Sequence, residues 1–307
     1  MSRHRSVGSC GGESRDLTKR KAAEPWPDSP AETNFIGEVL HGYAPAMPHI
    51  DVRGLTMYFE FHGDGPPLLH ISGSGADLRT TMPDRTPLNR TFTGLHYDQR
   101  GLGQTSPGDA QPTMEDFADD AAALCAVQGW DRCHVMGTSF GGMVAQHLAI
   151  RHRELVDRLV LNCTSPGGDA ASYPLHELQH LSAEERADVW MPLMDTRYVA
   201  GEDLPGLEGF TQLFRDRQSA ELSAEAAAGN ARQLEARRHH DATAGLGSIT
   251  APTLVCAGKY DAVAPIANSE KLVAAIPDAT LKTFEGGHIF MLQDPEAMPR
   301  IRDFLLA

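Results

Sequence analysis

Residues 132–146 read RCHVMGTSFGGMVAQ, and the fold follows from how that stretch is parsed. Cys133 to Met136 make a short apolar alternation of the kind that forms a buried strand. Gly137-Thr138-Ser139-Phe140-Gly141 interrupts it, and residues 142–150 continue as a helix-compatible run. This is G-x-S-x-G in the setting its chemistry needs, a serine on the sharp turn between a strand and a helix. Such a turn strains the serine backbone, and a tightly packed surround has to hold it. Glycines two residues on either side let strand and helix approach closely, because neither carries a Cβ. The hydroxyl then sits at a helix N-terminus, where the positive end of the dipole favours a developing anion. A plain Gly-Ser loop shares the pattern but has no reason to lie between a strand and a helix. Ser139 is the expected nucleophile.

Working outward, strands and helices alternate on both sides. Upstream, 50–52 and 56–61 flank Arg53-Gly54 as a hairpin, and 68–72 is a short buried strand ending in Gly73-Ser74-Gly75-Ala76-Asp77. A G-x-G-x-x-G reading of that loop fails, since Leu78 occupies the third glycine position. The loop can instead offer a backbone N–H near the nucleophile. After a vague helix around Pro83 and Pro87, 95–98 is the next strand, running into Gln99-Arg100-Gly101. Thr113 and Asp116 have capping-box spacing, and Gly129 is the expected stop of the helix they open. Downstream come a strand at 156–163, then helix-like segments at 183–191, 210–217 and 219–238 without a strand. Strand character returns at 253–257 and 280–284, followed by a last helix in which Pro299 is a blemish. The expected fold class is α/β, a doubly wound and mainly parallel sheet with a helical cap insertion. The expected division is a disordered N-terminal extension at 1–46, core at 47–164 and 247–307, and cap at 165–246.

The net charge of −14 argues against nucleic acid or an anionic membrane as partner. No apolar run approaches the roughly 18 residues of a membrane helix. Lys19-Arg20-Lys21 reads as a solvated cluster in the tail, and no apolar stretch behind the basic N-terminal residues makes a secretory signal. The 5 cysteines show no C-x-x-C spacing, and an odd number placed largely in core elements suggests a reducing compartment. A cytoplasmic location is the expectation, and oligomeric state is not written in the sequence.

An elbow serine needs a base to take its proton and a carboxylate to orient that base. Asp261, in Gly258-Lys259-Tyr260-Asp261, and His288, in Gly286-Gly287-His288, each follow a predicted strand in the required order Ser, Asp, His. All three fall at the carboxyl ends of strands, where open α/β sheets bind ligands. Arg100 is read as a loop brace rather than an anion site, and His239-His240-Asp241 as the hinge out of the cap rather than a metal cluster. Trp190, Met191, Phe210 and Phe214 are read as helix-packing residues of the cap.

Together these motifs make the chain resemble the α/β-hydrolases, and within them the 3-oxoadipate enol-lactonase-like esterases. The matching residues are 72–79 (SGSGADLR), 97–103 (YDQRGLG), 137–142 (GTSFGG), 258–261 (GKYD) and 286–288 (GGH). One departure is Ser72-Gly73, where the family often has His-Gly. The resemblance implies an oxyanion hole made by the backbone N–H groups of Ser74 and Phe140, and no cofactor or metal. It also implies a small-molecule ester or lactone as substrate. C–C bond hydrolysis, perhydrolysis or a low-turnover receptor of the same fold are the alternatives it leaves open. If the likeness extends to substrate, an arginine of the cap or of the motif loops is expected to meet a substrate carboxylate.

Overall fold

The computed structural model describes residue 1, residues 48–220 and residues 222–307. The expected N-terminal extension therefore lies outside the described residues, Met1 apart. Period two builds the sheet: along the central strands, neighbouring side chains enter opposite apolar clusters. Leu69, Val135, Leu161 and Val255 go to one, while Leu68, Met136, Val160 and Leu254 go to the other. Strands buried on both faces are what a parallel sheet covered by helices requires. Each fully buried Leu or Val contributes about 1.5–3 kcal/mol relative to exposure.

The strands are β1 (His49–Val52), β2 (Leu55–His62), β3 (Pro67–Ile71), β4 (Thr93–Tyr97), β5 (Cys133–Thr138), β6 (Val156–Asn162), β7 (Thr253–Gly258) and β8 (Ala279–Phe284). They lie in the order β1-β2-β4-β3-β5-β6-β7-β8. The β1–β2 and β2–β4 pairs are antiparallel and the rest parallel. After β3 comes one helical turn, α1 (Leu78–Thr81), capped by Asp77, and then two 3₁₀ turns that begin at Pro83 and Pro87. The vague helix of the sequence is thus broken by its two prolines.

Helix α2 (Met114–Val127) starts on the expected Thr113–Asp116 capping box, and Gly129 at φ +75° ends it. Helix α3 (Phe140–Arg151) leaves the elbow. The two share a buried edge-to-face contact between Phe117 and Phe140, with ring centroids 5.1 Å apart. Such a pair adds about 0.5–1.5 kcal/mol to the burial itself.

Among the described residues, three α-helices lie between β6 and β7: α4 (Ala183–Met194), α5 (Phe210–Ser219) and α6 (Ala224–Arg238). Helix α4 outruns its predicted end by three residues and carries Pro192 within its last turn. Helix α6 starts at Ala224 on an N-cap Ser223, later than expected, because that serine side chain takes the Ala226 N–H. Met191, Met194 and Leu204 form a small core with Trp190, Phe210 and Phe214, so the cap aromatics do pack on one another.

The chain closes with α7 (Ile266–Ala275), α8 (Phe290–Gln293) and α9 (Ala297–Leu306). Pro299 falls in the first turn of α9, where its missing N–H would have had no helical partner. The Asp294 carboxylate, just before that helix, takes the Glu285 and Glu296 N–H groups. Among the described residues no helix is long and apolar enough to cross a membrane.

Candidate active site

The turn after β5 has the geometry its sequence demands. Ser139 sits at φ 56°, ψ −115°, a conformation that costs a non-glycine residue about 1–3 kcal/mol. Its surroundings fix it in place: Ser139 N–H donates to Asn162 O at 2.9 Å, and Thr164 Oγ1 donates to Ser139 O at 2.8 Å. Neither flanking glycine has room for a side chain. A Cβ at Gly137 would lie 2.3 Å from Gly141 O, and one at Gly141 would lie 2.0 Å from Ile71 O.

The loops after β7 and β8 bring Asp261 and His288 to this serine. His288 Nε2 is 3.0 Å from Ser139 Oγ, and His288 Nδ1 is 2.8 Å from Asp261 Oδ2. A carboxylate only accepts, so the proton of a neutral His288 belongs on Nδ1, which leaves Nε2 free to accept from the serine. The other Asp261 oxygen takes the Val263 and Ala264 N–H groups at 2.8 and 2.9 Å, which fixes the plane of the carboxylate. All three residues are at most 8% exposed.

The Ser74 loop passes close by: a Cβ on Gly73 would lie 3.6 Å from Ser139 Cβ. Neither Ser74 N–H nor Phe140 N–H donates to an acceptor among the described residues, and Phe140 is the first residue of α3. The Phe140 side chain is fully buried, so only its main chain faces the site. At Ser72, Gln99 Nε2 donates to the carbonyl at 2.8 Å and ties down the loop.

Several holding residues carry no motif and escaped the sequence. Gln233 Oε1, from α6, accepts the Gly75 N–H at 2.7 Å. At the other side of the cap, Leu193 O and Met194 O accept from Ala262 N–H and His288 N–H, and Thr196 N–H donates to Tyr260 O. Asp195, fully buried, holds Gln293 Nε2 at 2.8 Å, and Gln293 Oε1 accepts the Gly287 N–H next to His288. Burial alone would raise the Asp195 pKa, but hydrogen bonds from Arg197 and Gln293 bring it below the ordinary value.

The arginines sort clearly. Arg100 forms a two-pronged pair with the buried Asp120 at 2.6 and 2.7 Å and is a brace, as read. Arg79 pairs with Asp77, Arg197 with Asp195 and Arg215 with Asp188. His239 turns outward to Glu235, while the buried His240 reaches Ser165 O at 3.0 Å and His147 at 3.2 Å. The two adjacent histidines point apart, as a hinge allows and a shared metal does not. Open clefts of about 340 and 330 Å³, beside Lys271 and beside His147, border none of Ser139, Asp261 and His288.

A family model described as the alpha/beta hydrolase family matches residues 68–299. The chain belongs to the alpha/beta hydrolase family. This hydrolase is 30% identical over 251 residues to a protein of Pseudomonas savastanoi pv. phaseolicola provisionally named carbamate hydrolase RutD, covering 80% of this chain and 96% of that one. A protein of the same provisional name from Agrobacterium fabrum is 28% identical, over 81% of this chain and 98% of its own length. Among solved structures, the enol-lactonase of Burkholderia xenovorans LB400 superposes with TM-score 0.72 at 24% identity, over 85% of this chain and all of that one (100%). At that identity the likeness shows the fold. A hydrolase of Pseudomonas aeruginosa PA01 gives TM-score 0.70 at 27% identity, over 86% of this chain and 100% of that one.

Proposed function

We propose that this hydrolase cleaves a carboxylic ester or lactone through an acyl-enzyme, with Ser139 as nucleophile, His288 as general base and acid, and Asp261 as the orienting carboxylate. The observation that carries the reading is the unbroken line from Asp261 Oδ2 through the His288 ring to Ser139 Oγ, at 2.8 and 3.0 Å.

Ser139 Oγ attacks the carbonyl carbon while its proton passes to His288 Nε2, and the carbonyl π pair moves onto oxygen. The Ser74 and Phe140 N–H groups, which lack other acceptors among the described residues, receive that oxyanion. Asp261 stabilises the imidazolium without taking its proton. Collapse breaks the carbon–oxygen bond, and His288 returns the proton to the leaving alkoxide. Water, deprotonated by the same ring, then attacks the acyl-serine and releases a carboxylic acid. With a lactone the alcohol stays tethered, and one hydroxy acid leaves.

A carbamate is the second reading, favoured by the provisional name of the relatives at 28–30% identity. The same attack would then expel an amine or alcohol from a less electrophilic carbonyl. Fluorophosphonate labelling followed by peptide mapping tests the nucleophile, and matched esters, lactones and carbamates test the substrate. Labelling at any residue other than Ser139 would sink the mechanism, and faster turnover of carbamates than of esters would select the second reading.

A further inference from the structure

The carbonyl of Ser139 and the N–H of Phe140 belong to one peptide group. A trans peptide is planar, so the two point in opposite directions, and whatever fixes the carbonyl also aims the N–H. No cis peptide occurs among the described residues. Ser139 O accepts from three donors among them. Two belong to the first turn of α3, Gly142 N–H at 2.9 Å and Met143 N–H at 3.2 Å. The third and shortest comes from outside that helix, Thr164 Oγ1 at 2.8 Å. A carbonyl only accepts, so the hydroxyl proton lies on this bond.

Thr164 is fully buried and held in that position from two sides. Beyond β6 the chain turns at Cys163, whose left-handed backbone, φ 42°, is one that side chains rarely adopt. Cys163 N–H donates to Cys256 O at 2.9 Å, which ties this turn to β7. On the other side Thr164 lies against the first turn of α3: a Cβ on Gly142 would come 2.6 Å from Thr164 Cβ and 2.8 Å from its Oγ1. The glycine that follows G-x-S-x-G therefore makes room for this threonine. Burial alone does not secure a partner for a hydroxyl here. Ser165 Oγ, next in the chain and as deeply buried, has none among the described residues.

We propose that Thr164 is a positioning residue of the oxyanion hole: its hydroxyl fixes and polarises the Ser139–Phe140 peptide, and so aims the Phe140 N–H at the developing oxyanion. A hydrogen bond to the carbonyl of an amide draws electron density toward oxygen and makes the N–H of the same group a stronger donor. The effect grows toward the transition state, because the carbonyl of the bound substrate asks less of that donor than the oxyanion does. This role rests on the reading of Ser139 as nucleophile and of the Phe140 N–H as oxyanion donor.

The test removes the hydroxyl while keeping the shape. Thr164→Val should lower kcat for 4-nitrophenyl butyrate by about 3- to 10-fold, the range for one neutral hydrogen bond, with KM little changed. Inhibition by a trifluoromethyl ketone, whose serine adduct carries an oxyanion, should weaken by a similar factor. Thr164→Ser, which keeps the hydroxyl and drops the methyl, should recover most of both losses. The midpoint of the pH profile of kcat/KM, which reports on His288, should stay where wild type has it. A loss shared equally by both variants, a shifted midpoint, or a kcat left intact by Thr164→Val overturns the proposal. Should Thr164→Val fail to fold, Thr164→Cys is read against Thr164→Ser by the same criteria, since a thiol is a weak donor. If the ester is not turned over but a fluorophosphonate labels Ser139, the labelling rate is read in place of kcat. If wild type shows neither turnover nor labelling, the hydrolase reading fails separately. The Phe140 amide proton resonance then decides: one moved by Thr164→Val and not by Thr164→Ser upholds the positioning, and one moved alike or not at all overturns it.

Discussion

Among its contacts with the active-site loops, the cap holds them at the end of α4 and at α6 by different means. At the end of α4 the contact is main chain: Leu193 O, Met194 O and Thr196 N–H bond to Ala262, His288 and Tyr260, at 3.0, 2.6 and 2.9 Å. At α6 it is a side chain, Gln233 Oε1 on the Gly75 N–H at 2.7 Å. The acid loop is thus held by atoms every amino acid has, the base loop by such atoms together with the Asp195–Gln293 bridge, and the loop of Ser74 by atoms only certain residues supply. The α4 attachment should tolerate substitution, and the α6 attachment should not.

The scale is set by the nucleophile. Ser139→Ala should lower kcat by about 10⁴–10⁶ while leaving the melting temperature in place. A variant that keeps a tenth of the activity would leave neither attachment with a catalytic loop to hold. Next in size is Gln233→Ala. With Gly75 released, the Ser74 N–H should drift from the oxyanion, and a misplacement on the order of 1 Å costs about 10²-fold in rate. This loss should strike esters of every kind alike, and an unchanged kcat/KM would show that the loop holds itself.

Acid offers a third way to separate the attachments, because His240 lies two residues past the end of α6. Burial pulls the His240 pKa down to about 4, with the nearby His147 adding to the effect. Burial also pulls His70, stacked on His96 with centroids 4.0 Å apart, down to about 3. In the unfolded chain such imidazoles protonate near 6.5, so below that pH the unfolded state binds more protons. Stability is therefore full above about pH 6.5 and falls on acidification, by about 1.4 kcal/mol per pH unit for each such histidine. Thermal melts from pH 7.5 to 5 should show the fall, and hydrogen exchange should open the C-terminal turn of α6 before that of α4. Simultaneous opening would mean the two ends are one cooperative unit. The smallest effect belongs to Met194→Leu. It keeps the carbonyl on His288 N–H and swaps volume for similar volume, so less than about 1.5 kcal/mol is expected, with kcat nearly unchanged. A large fall in kcat would show that the side chain, and not the main chain, positions His288.

The same contrast explains what could be read in advance. The elbow was legible because close approach leaves no alternative to Gly137 and Gly141, and that constraint is spelled in residue types. Asp261 and His288 were legible through their order and their place after strands. The Met194 carbonyl was not, since a main-chain acceptor leaves no mark on the residue that bears it. Gln99, Gln233 and Asp195 have ordinary compositions, and only the fold shows what they hold. No single arginine of the cap stands out in the sequence, because helical periodicity does not tell a buried Arg237 from an exposed Arg238 next to it. Helix ends erred where a local cap such as Ser223 overruled propensity.

The main-chain clip at 193–196 turns the cap into a module with one rigid coupling. What must be preserved there is chain length rather than identity: one residue inserted between Leu193 and Thr196 would shift the carbonyls out of register with Ala262 and His288. A few positions later, around the exposed Gly201, added residues would meet only solvent. A cap transplanted from a relative should therefore function when its junction is cut after Thr196, and should silence the serine when it is cut one residue out of step before it.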